Sequence, residues 1–399
     1  MKRILILMSD TGGGHRAAAE AIRDALYKLY GEDQAKVSMV DVFRHYSPYP
    51  LNKFPEIYPW LVNNSKRSYA LIFKMSNRKG NIGALQRGVY YVLGIEKGFK
   101  RLLREHPADL IVSVHPLVNR PMLDALRKSE QRPPYMIVVT DLVSGHVSWW
   151  DPRCDRCLVP TQPAFDAGLA NGLRADQLRI TGLPVHPKFA ESLTDKVSAR
   201  TELGWDPDLP AVLMVYGGDG MGPVYETVRA IDSRKPSCQL VIVAGRNKTL
   251  KQRLDATEWN VKVTTYPFVT NMPRMMAAAD VLVTKAGPAT ISEACIAGLP
   301  MIISDAIPGQ EEGNVTYVTE NDAGVFAPTP ELVGEAIASW LAKGQGELTR
   351  LADNARHLAR PEAVWEIAKE VWEYAQTPMI PNPPRKRSIV KIDRKRAAR

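Results

Sequence analysis

Two glycine-rich turns follow apolar runs in this sequence, and each has residue types that could hold a phosphate group. In the first turn, Gly12, Gly14 and Ala17 fit a relaxed G-x-G-x-x-A pattern after the apolar residues 3–8. Such a turn lets the backbone approach a pyrophosphate, and Asp41 ends the next apolar run where an acid could bind a ribose. Asp41 lies 29 positions beyond Gly12, whereas the dinucleotide fingerprint has about 20. A nicotinamide-dependent dehydrogenase is therefore an alternative that this turn alone does not establish.

The second turn, residues 217–222, reads GGDGMG and follows the apolar run 211–216. Backbone N–H groups at the start of the helix expected after it would face a pyrophosphate, and the helix dipole would favour the negative charge. The carboxylate of Asp219 opposes that attraction. Of the two turns, this one is the better candidate for a diphosphate site.

Polar residues suited to ribose and sugar hydroxyls lie further along the chain. Lys285 and Gly287 follow the apolar run 281–284, and Glu293 falls within the next predicted helix. A carboxylate at that position can accept hydrogen bonds from two ribose hydroxyls. Residues 308–314 read PGQEEGN, a loop without apolar periodicity. Its amides and carboxylates are the bidentate partners that polyhydroxylated sugars need.

Apolar runs alternate with helical stretches along the chain, which is typical of doubly wound α/β domains. In the first half, strands buried on both faces are predicted at residues 3–8, 36–42, 109–114, 135–140, 155–160 and 178–181. The pattern restarts after residue 184, with strands predicted at residues 211–216, 239–244, 261–266, 281–284 and 301–304. The sequence therefore predicts an α/β protein with two Rossmann-like domains that face each other across a cleft at the carboxyl ends of both sheets.

Positive charge is concentrated in one internal segment and one tail. The 399 residues carry 52 Lys and Arg against 43 Asp and Glu, a net charge of +9. Residues 43–105 alone carry +9, and residues 385–399 carry +7. The internal segment is also rich in Tyr, Phe and Trp, a combination that suits an anionic membrane surface, although the same aromatic residues could pack a core. No recognition helix, RNP or zinc-finger signature is present, so we expect no nucleic acid as a partner.

Other chemistries find little support in the sequence. Cys154 and Cys157 form a CxxC pair, but no second cysteine or histidine pair completes a zinc site. Ser144 and Ser292 lack the flanking glycines of a nucleophile elbow. Four Cys in a chain of this length argue against a disulfide scaffold and suit a reducing compartment. No apolar run reaches the roughly 18 residues that a spanning helix needs.

Four longer segments carry a specific resemblance. They read SDTGGGHRAAAEAI at residues 9–22, TDLVSGHVSWW at 140–150, GGDGMGP at 217–223 and KAGPATISEACIAGLPMIISDAIPGQEEGNV at 285–315. Together, in this order, they resemble the monogalactosyldiacylglycerol synthase family within glycosyltransferase family 28, which includes bacterial processive diacylglycerol glucosyltransferases. The resemblance implies a GT-B fold and inverting transfer of a hexose from UDP-glucose or UDP-galactose to diacylglycerol or a glycosylated relative, with no cofactor and no metal.

The resemblance also implies roles for individual residues. His15 resembles the general base of the family, and the acceptor side of the cleft would include Gly13, Gly14, Asp141 and His146. Asp141 and His146 could equally serve to hold their loop together. The donor diphosphate would be bound by Gly217, Gly218, Gly220, Met221 and Gly222. The donor nucleotide and sugar would be bound by Lys285, Gly287, Pro288, Thr290, Glu293, Gln310, Glu311 and Asn314.

The diphosphate turn departs mildly from the family pattern, which usually has more glycine and a Glu near residues 216–219. That departure bears on donor affinity more than on the reaction class. Nothing in the sequence separates UDP-glucose from UDP-galactose as the donor.

The basic aromatic segment falls where the family docks on a bilayer. Trp60, Lys66, Arg67, Arg78 and Lys79 are predicted to contact an anionic membrane, and the predicted location is cytoplasmic, peripheral on the inner face of the cell membrane. Two alternatives stay open beside the dehydrogenase: sugar transfer to a polyprenyl-linked acceptor, and a non-catalytic lipid or nucleotide binder.

Four segments of the chain are expected. Residues 1–184 would form the acceptor and membrane-docking domain, and residues 185–360 the donor domain. Residues 361–378 would form a helix that crosses back to the first domain, and residues 379–399 a basic disordered tail.

Overall fold

The fold was analysed in a computed structural model that describes residues 1–11, 13–77 and 95–383, without the side chains of residues 59, 62–64 and 66. Gly12, Arg78, Lys79 and the basic residues from 384 onward therefore lie outside the described residues.

The first half of the chain is built on a six-stranded parallel sheet with strand order β2-β1-β3-β5-β6-β7. Its strands are β1 (Lys2–Met8), β2 (Ala35–Asp41), β3 (Leu110–Ser113), β5 (Tyr135–Val138), β6 (Arg156–Val159) and β7 (Leu178–Ile180). A two-residue strand, β4 (Gln131–Arg132), stands apart from this sheet. The strands are apolar and buried because helices cover both faces of a parallel sheet.

The second half contains another six-stranded parallel sheet, with order β10-β9-β8-β11-β12-β13. Its strands are β8 (Ala211–Val215), β9 (Gln239–Val243), β10 (Lys262–Tyr266), β11 (Val281–Lys285), β12 (Met301–Asp305) and β13 (Gly324–Phe326). This is the order of a Rossmann fold, in which the topological switch point lies between the first and fourth strands. In this sheet those strands are β8 and β11.

Helices connect the strands in both halves. Those of the first half are α1 (Gly13–Tyr30), α2 (Val42–Tyr46), α3 (Phe54–Asn64), α4 (Lys66–Ser76), α5 (Ile95–Glu105), α6 (Pro116–Leu126) and α7 (Gln162–Ala170). The next are α8 (Pro187–Glu191), α9 (Lys196–Leu203), α10 (Val224–Asp232), α11 (Lys248–Asp255), α12 (Met272–Ala278) and α13 (Pro288–Ala297). The last are α14 (Glu312–Glu320), α15 (Pro330–Lys343), α16 (Gln345–Leu358) and α17 (Ala363–Gln376).

The final helix, α17, packs against α1 and contributes to the core of the first sheet. Its apolar face, which includes Ile367 and Val371, joins the buried cluster that contains Ile4 and Ile22. Glu370 on the same helix is buried and accepts hydrogen bonds from the guanidinium groups of Arg156 and Arg179. After the helix, β14 (Ile380–Pro381) pairs with β4 of the first half.

The two-domain α/β fold class predicted from the sequence is confirmed. Every strand predicted from an apolar run is present, with ends within two residues of those expected. The sequence analysis missed β13, which has only three residues and is partly exposed, and the two-residue strands β4 and β14. Runs this short carry no periodicity that distinguishes a strand from a loop.

Candidate active site

Loops at the carboxyl ends of the two sheets meet across the cleft. The backbone N–H of Gly313 donates to the hydroxyl of Ser144 at 3.0 Å, and a Cβ atom at Gly313 would collide with that side chain. Gln310 Nε2 donates to Asp141 Oδ1 at 3.4 Å. Ligands of doubly wound sheets bind at this edge, so the cleft is the candidate active site.

His15 stands at the switch point of the first sheet, in the first turn of α1 after β1. Its Nδ1 lies 2.7 Å from the carbonyl oxygen of Val114 and 3.0 Å from the hydroxyl of Thr140. A carbonyl oxygen only accepts, so Nδ1 carries the proton and the lone pair of the neutral ring lies on Nε2. Burial lowers the pKa of His15 to about 4, which keeps the ring neutral at pH 7. Neutral His15 is therefore equipped to accept a proton at Nε2.

A second histidine packs beside His15. The ring centroid of His115, which follows β3, lies 4.5 Å from that of His15. The Nε2 atom of His115 is hydrogen-bonded to the hydroxyl of Thr11 at 2.9 Å. Burial also lowers the pKa of His115 well below its usual value. Both rings are thus neutral, and no charge repulsion disturbs their contact.

The side chain of Asp141 is buried in the cleft. Its Oδ2 accepts a hydrogen bond from Trp149 Nε1 at 2.6 Å, while Oδ1 accepts the bond from Gln310. Burial raises the pKa of Asp141 to about 6, despite these two donors. Asp141 therefore contacts both sides of the cleft.

His146 fastens its loop to α4. Its Nδ1 accepts a hydrogen bond from the backbone N–H of Ser148 at 3.1 Å, so Nε2 carries the proton and donates to Ser76 Oγ at 3.2 Å. The ring also packs edge-on against Phe73, with centroids 5.2 Å apart. Burial lowers the pKa of His146 to about 4. Both ring nitrogens are used within the protein, which favours the loop-holding alternative for this residue.

The glycine turn at residues 217–222 connects β8 to α10 in a tight conformation. Gly217, Gly220 and Gly222 all have positive φ angles. At Gly220 a side chain is also excluded by space, because a Cβ atom would collide with the carbonyl oxygen of Ala244. Gly218 binds the neighbouring loop through its carbonyl, and Met221 is exposed at the surface of the turn. Among the described residues, no side chain caps the start of α10, so its first N–H groups stay available to an anion.

Arg246 modifies the charge of this turn, and the sequence analysis missed it. Its backbone N–H donates to the carbonyl of Gly218 at 2.9 Å, and its Nη1 donates to Asp219 Oδ1 at 3.0 Å. The guanidinium also lies 4.7 Å from the ring centroid of Phe268. The repulsion expected between Asp219 and a phosphate is therefore offset by a neighbouring cation. No local pattern could have shown this, since the two residues are 27 positions apart.

Lys285 supplies a second cation at the switch point of the second sheet. Its aliphatic chain runs beside Gly217 and its Nζ lies near Gly287, so the ammonium stands between two glycine-containing turns. Nζ also donates to Glu311 Oε1 at 3.1 Å. Glu311 is buried, and its second oxygen accepts from the backbone N–H of Ile307 at 3.0 Å. Glu311 thus orients Lys285 and is already occupied by protein donors.

The turn that contains Gly287, on the other side of Lys285, lies at the start of α13. Gly287 occupies the position before the helix without a capping side chain, Pro288 is the first helical residue, and Thr290 is half-buried in the first turn. Asn314 is buried next to this turn, and its Nδ2 donates to the carbonyl of Ala286 at 2.9 Å. Asn314 therefore shapes the backbone of the turn from behind.

Glu293 lies one turn into α13 and has no hydrogen bond or ion pair with any described residue. Burial raises the pKa of its carboxyl group to about 7. A half-buried carboxylate without donors is costly, and a ligand that brings two O–H donors would relieve that cost.

Gln310 is held by the first half of the chain. Its Oε1 accepts hydrogen bonds from Tyr58 on α3 at 3.1 Å and from Tyr69 on α4 at 2.6 Å. Neither tyrosine was singled out from the sequence as a site residue. Both belong to the basic aromatic segment, but contacts across more than 240 positions leave no local signal.

The residues predicted to dock on a membrane lie on α3 and α4. Trp60 on α3 is 63% exposed, and Arg67 on α4 is also exposed. Lys66 begins α4, but its side chain is outside the description, as are Arg78 and Lys79. The same two helices expose further large apolar side chains that the sequence analysis did not name: Ile57, Leu71, Ile72 and Met75.

Comparison with known structures places the fold in a class. The chain is similar to MurG of Acinetobacter baumannii, with a TM-score of 0.61 and 17% identity over 94% of this chain and 100% of that one. It is also similar to the calicheamicin glycosyltransferase CalG4, with a TM-score of 0.57 and 15% identity over 94% and 98% of the two chains. The fold is therefore the GT-B fold of glycosyltransferases.

Sequence comparison then gives the family. Residues 15–185 match the monogalactosyldiacylglycerol (MGDG) synthase family, and residues 212–371 match the C-terminal domain of glycosyltransferase family 28. The chain is 41% identical to monogalactosyldiacylglycerol synthase 2 of Arabidopsis thaliana, over 94% of this chain and 81% of that protein. It is 40% identical to a probable monogalactosyldiacylglycerol synthase 2 of Oryza sativa subsp. japonica, with the same coverage. This chain belongs to the monogalactosyldiacylglycerol synthase family and is a UDP-sugar-dependent hexosyltransferase.

These comparisons confirm the family resemblance and the enzyme class, and they correct the predicted location. The plant relatives are chloroplastic proteins, so the prediction of a cytoplasmic position on the inner face of a cell membrane is wrong by this finding. Over the described ranges, no helix has the length and apolar character needed to cross a bilayer. Within the same ranges, His, Cys, Asp and Glu side chains form no group of three or more placed to hold a metal ion.

Proposed function

We propose that this protein transfers galactose from UDP-galactose to the free hydroxyl group of diacylglycerol, with inversion at the anomeric carbon. The names of the plant relatives support galactose and diacylglycerol as the two substrates. The observation that carries the proposal is the neutral His15, with its lone pair on Nε2, across the cleft from Gln310 and the paired Lys285 and Glu311.

The second half of the chain would bind UDP. The diphosphate would lie against the N–H groups of the 217–222 turn and the start of α13, with Lys285 as a neighbouring cation. Glu293 would accept hydrogen bonds from both ribose hydroxyls, which gives this unpartnered carboxylate the donors it lacks. Backbone N–H groups and Lys285 would then stabilise the charge that develops on the leaving diphosphate.

The first half would supply the base. Nε2 of His15 accepts the proton of the diacylglycerol hydroxyl while its oxygen bonds to the anomeric carbon of galactose. The bond between that carbon and the UDP oxygen breaks, and its electron pair leaves with the diphosphate. A single displacement of this kind inverts the anomeric centre. Because burial disfavours the imidazolium form of His15, the proton moves as the new bond forms and is then released to solvent.

The α3–α4 surface would bring the enzyme to its lipid substrate. Ile57, Trp60, Leu71, Ile72 and Met75 would enter the headgroup region of a bilayer. Arg67 and the neighbouring basic residues would attract anionic lipids, with about 1 kcal/mol from each cation near the interface. We accordingly assign residues 1–184 to the acceptor and residues 185–360 to the donor.

The purified protein should be incubated with diacylglycerol vesicles and radiolabelled UDP-galactose or UDP-glucose. We expect a galactolipid with a β linkage by NMR, made from the α-linked donor, and turnover of UDP-glucose at less than about a tenth of that rate. A product formed only with a polyprenyl phosphate acceptor, or nucleotide binding without turnover, would overturn the proposal.

A further inference from the structure

Gln310 belongs to the second half of the chain, but its amide is oriented by two tyrosines of the first half. The hydroxyl groups of Tyr58 and Tyr69 both donate to Gln310 Oε1, at 3.1 and 2.6 Å. The two rings pack edge-on with centroids 5.8 Å apart, and Tyr69 also contacts Phe73. Both tyrosines belong to one small apolar cluster with Ile307 of the donor half. The contact is therefore a packed interface rather than an isolated hydrogen bond.

Two phenol donors fix which way the amide faces. An amide oxygen has two lone pairs, and here both are used by O–H groups. Burial raises the pKa of Tyr58 to about 12 and also raises that of Tyr69, so both phenols stay protonated and remain donors at neutral pH. Gln310 can therefore offer a ligand only its N–H groups.

The N–H side of the amide points toward a carboxylate. Gln310 Nε2 and Asp141 Oδ1 are 3.4 Å apart, which is long for a hydrogen bond. A hydroxyl group can accept from an amide N–H and donate to a carboxylate at the same time. Gln310 and Asp141 therefore form a donor and acceptor pair suited to a single sugar hydroxyl.

We propose that Tyr58 and Tyr69 are positioning residues for Gln310, and that they fix its amide to donate to one hydroxyl of the transferred hexose. This inference rests on the proposed function, because it assumes that a UDP-hexose occupies the cleft. If Tyr58 and Tyr69 have this role, the donor-sugar subsite is complete only when α3 and α4 of the acceptor half are in place.

The test compares binding of UDP and of UDP-galactose to the full-length protein by calorimetry. Tyr58→Phe, Tyr69→Phe and the double variant keep the rings and remove only the hydroxyl groups. Gln310→Ala removes the amide itself. In the double Phe variant we expect the affinity for UDP-galactose to fall about tenfold, while the affinity for UDP changes less than about twofold. Adding Gln310→Ala to the double Phe variant should cause no further loss, since the three residues act as one unit.

The inference would be overturned if the ratio of UDP-galactose affinity to UDP affinity were unchanged in the double Phe variant. It would also be overturned if adding Gln310→Ala to the double Phe variant lowered the affinity for UDP-galactose further. Retained UDP binding shows that the variants are folded. If the unmodified protein bound UDP-galactose no more tightly than UDP and did not turn it over, the proposed function would have failed, which is a separate outcome.

Discussion

The Nδ1 atom of His15 lies 2.7 Å from the carbonyl oxygen of Val114, a residue 99 positions away. That contact ties the first turn of α1 to the end of β3, and it assigns the proton of the neutral imidazole to Nδ1. The backbone of one strand thus determines which nitrogen of a side chain on another element is basic.

Replacing His15 with alanine should lower kcat by about 10²–10⁴, because general-base catalysis contributes about that much. The affinity for UDP should not change, since His15 lies in the first half of the chain, to which we assign the acceptor rather than the donor. His357→Ala is a suitable control, because His357 is exposed on α16 and, among the described residues, bonds only within its own helix. Unchanged turnover in His15→Ala would remove His15 from the role of base.

The acid limit of turnover should reflect the lowered pKa of His15. The ring must be neutral to accept a proton, and its pKa of about 4 keeps it neutral as the pH falls from 8 to about 5. With saturating UDP-galactose, kcat should therefore decline only below about pH 5. A step near pH 6 that disappears in Asp141→Asn would belong to Asp141, whose pKa is about 6. A decline at pH 6.5 in both proteins would contradict the assignment.

Binding of UDP should strengthen as the pH rises through about 7. The pKa of Glu293 is about 7 in the free protein, and ribose hydroxyls that donate to the carboxylate would favour its charged form. UDP affinity should therefore increase between pH 6 and pH 8 by more than it does in Glu293→Gln. The phosphate of UDP titrates identically in both proteins and cancels in this comparison. Equal pH dependence would show that Glu293 does not bind the ribose.

Membrane binding should depend on the exposed apolar side chains of α3 and α4. Leu71→Ser combined with Ile72→Ser removes two large exposed groups, each of which contributes up to about 1.5–3 kcal/mol when fully buried. Sedimentation with anionic vesicles should show a loss of at least about tenfold in partitioning. Leu332→Ser is the matched control, because Leu332 is 42% exposed but lies on α15 in the second half of the chain. Equal losses in both variants would mean that α3 and α4 are not the docking surface.

Stability should depend on the buried acid of α17. Glu370 accepts from Arg156 Nε at 2.8 Å and is also paired with Arg179, and removing one member of such a buried group costs about 3–5 kcal/mol. Glu370→Gln should therefore lower the free energy of unfolding by about that amount in urea titrations. Glu366→Gln, one turn earlier, breaks only an exposed pair at 3.7 Å and should cost at most about 1 kcal/mol. Similar losses in the two variants would contradict this reading of Glu370.

The architecture was predictable because its strands are buried on both faces and therefore appear as uninterrupted apolar runs. The glycine turns were predictable for a related reason: positive φ angles at Gly217 and Gly222, and a lack of space at Gly220, require glycine. The apolar runs and the glycines can be read directly from the sequence, although the group that excludes a side chain at Gly220 is the carbonyl oxygen of Ala244, which lies after β9.

Interactions between distant residues were not predictable in the same way. The pairing of Arg246 with Asp219 and of Gln310 with Tyr58 and Tyr69 depends on how loops and domains come together. The family motif drew attention to Gln310 but carried no information about the tyrosines that orient it. The structure likewise shows that the amide nitrogen of Asn314 and the carboxylate of Glu311 already bond to groups of the protein.

The position of α17 has a consequence for biosynthesis. This helix is translated after the entire second half, yet it completes the core that surrounds Ile4 and Ile22. A ribosome that has released residues 1–184 has therefore not released everything that this core needs. The core of the first half therefore stays incomplete until the residues near 376 leave the exit tunnel. A recombinant fragment that stops at residue 184 should likewise be insoluble unless the missing helix is supplied as a separate peptide.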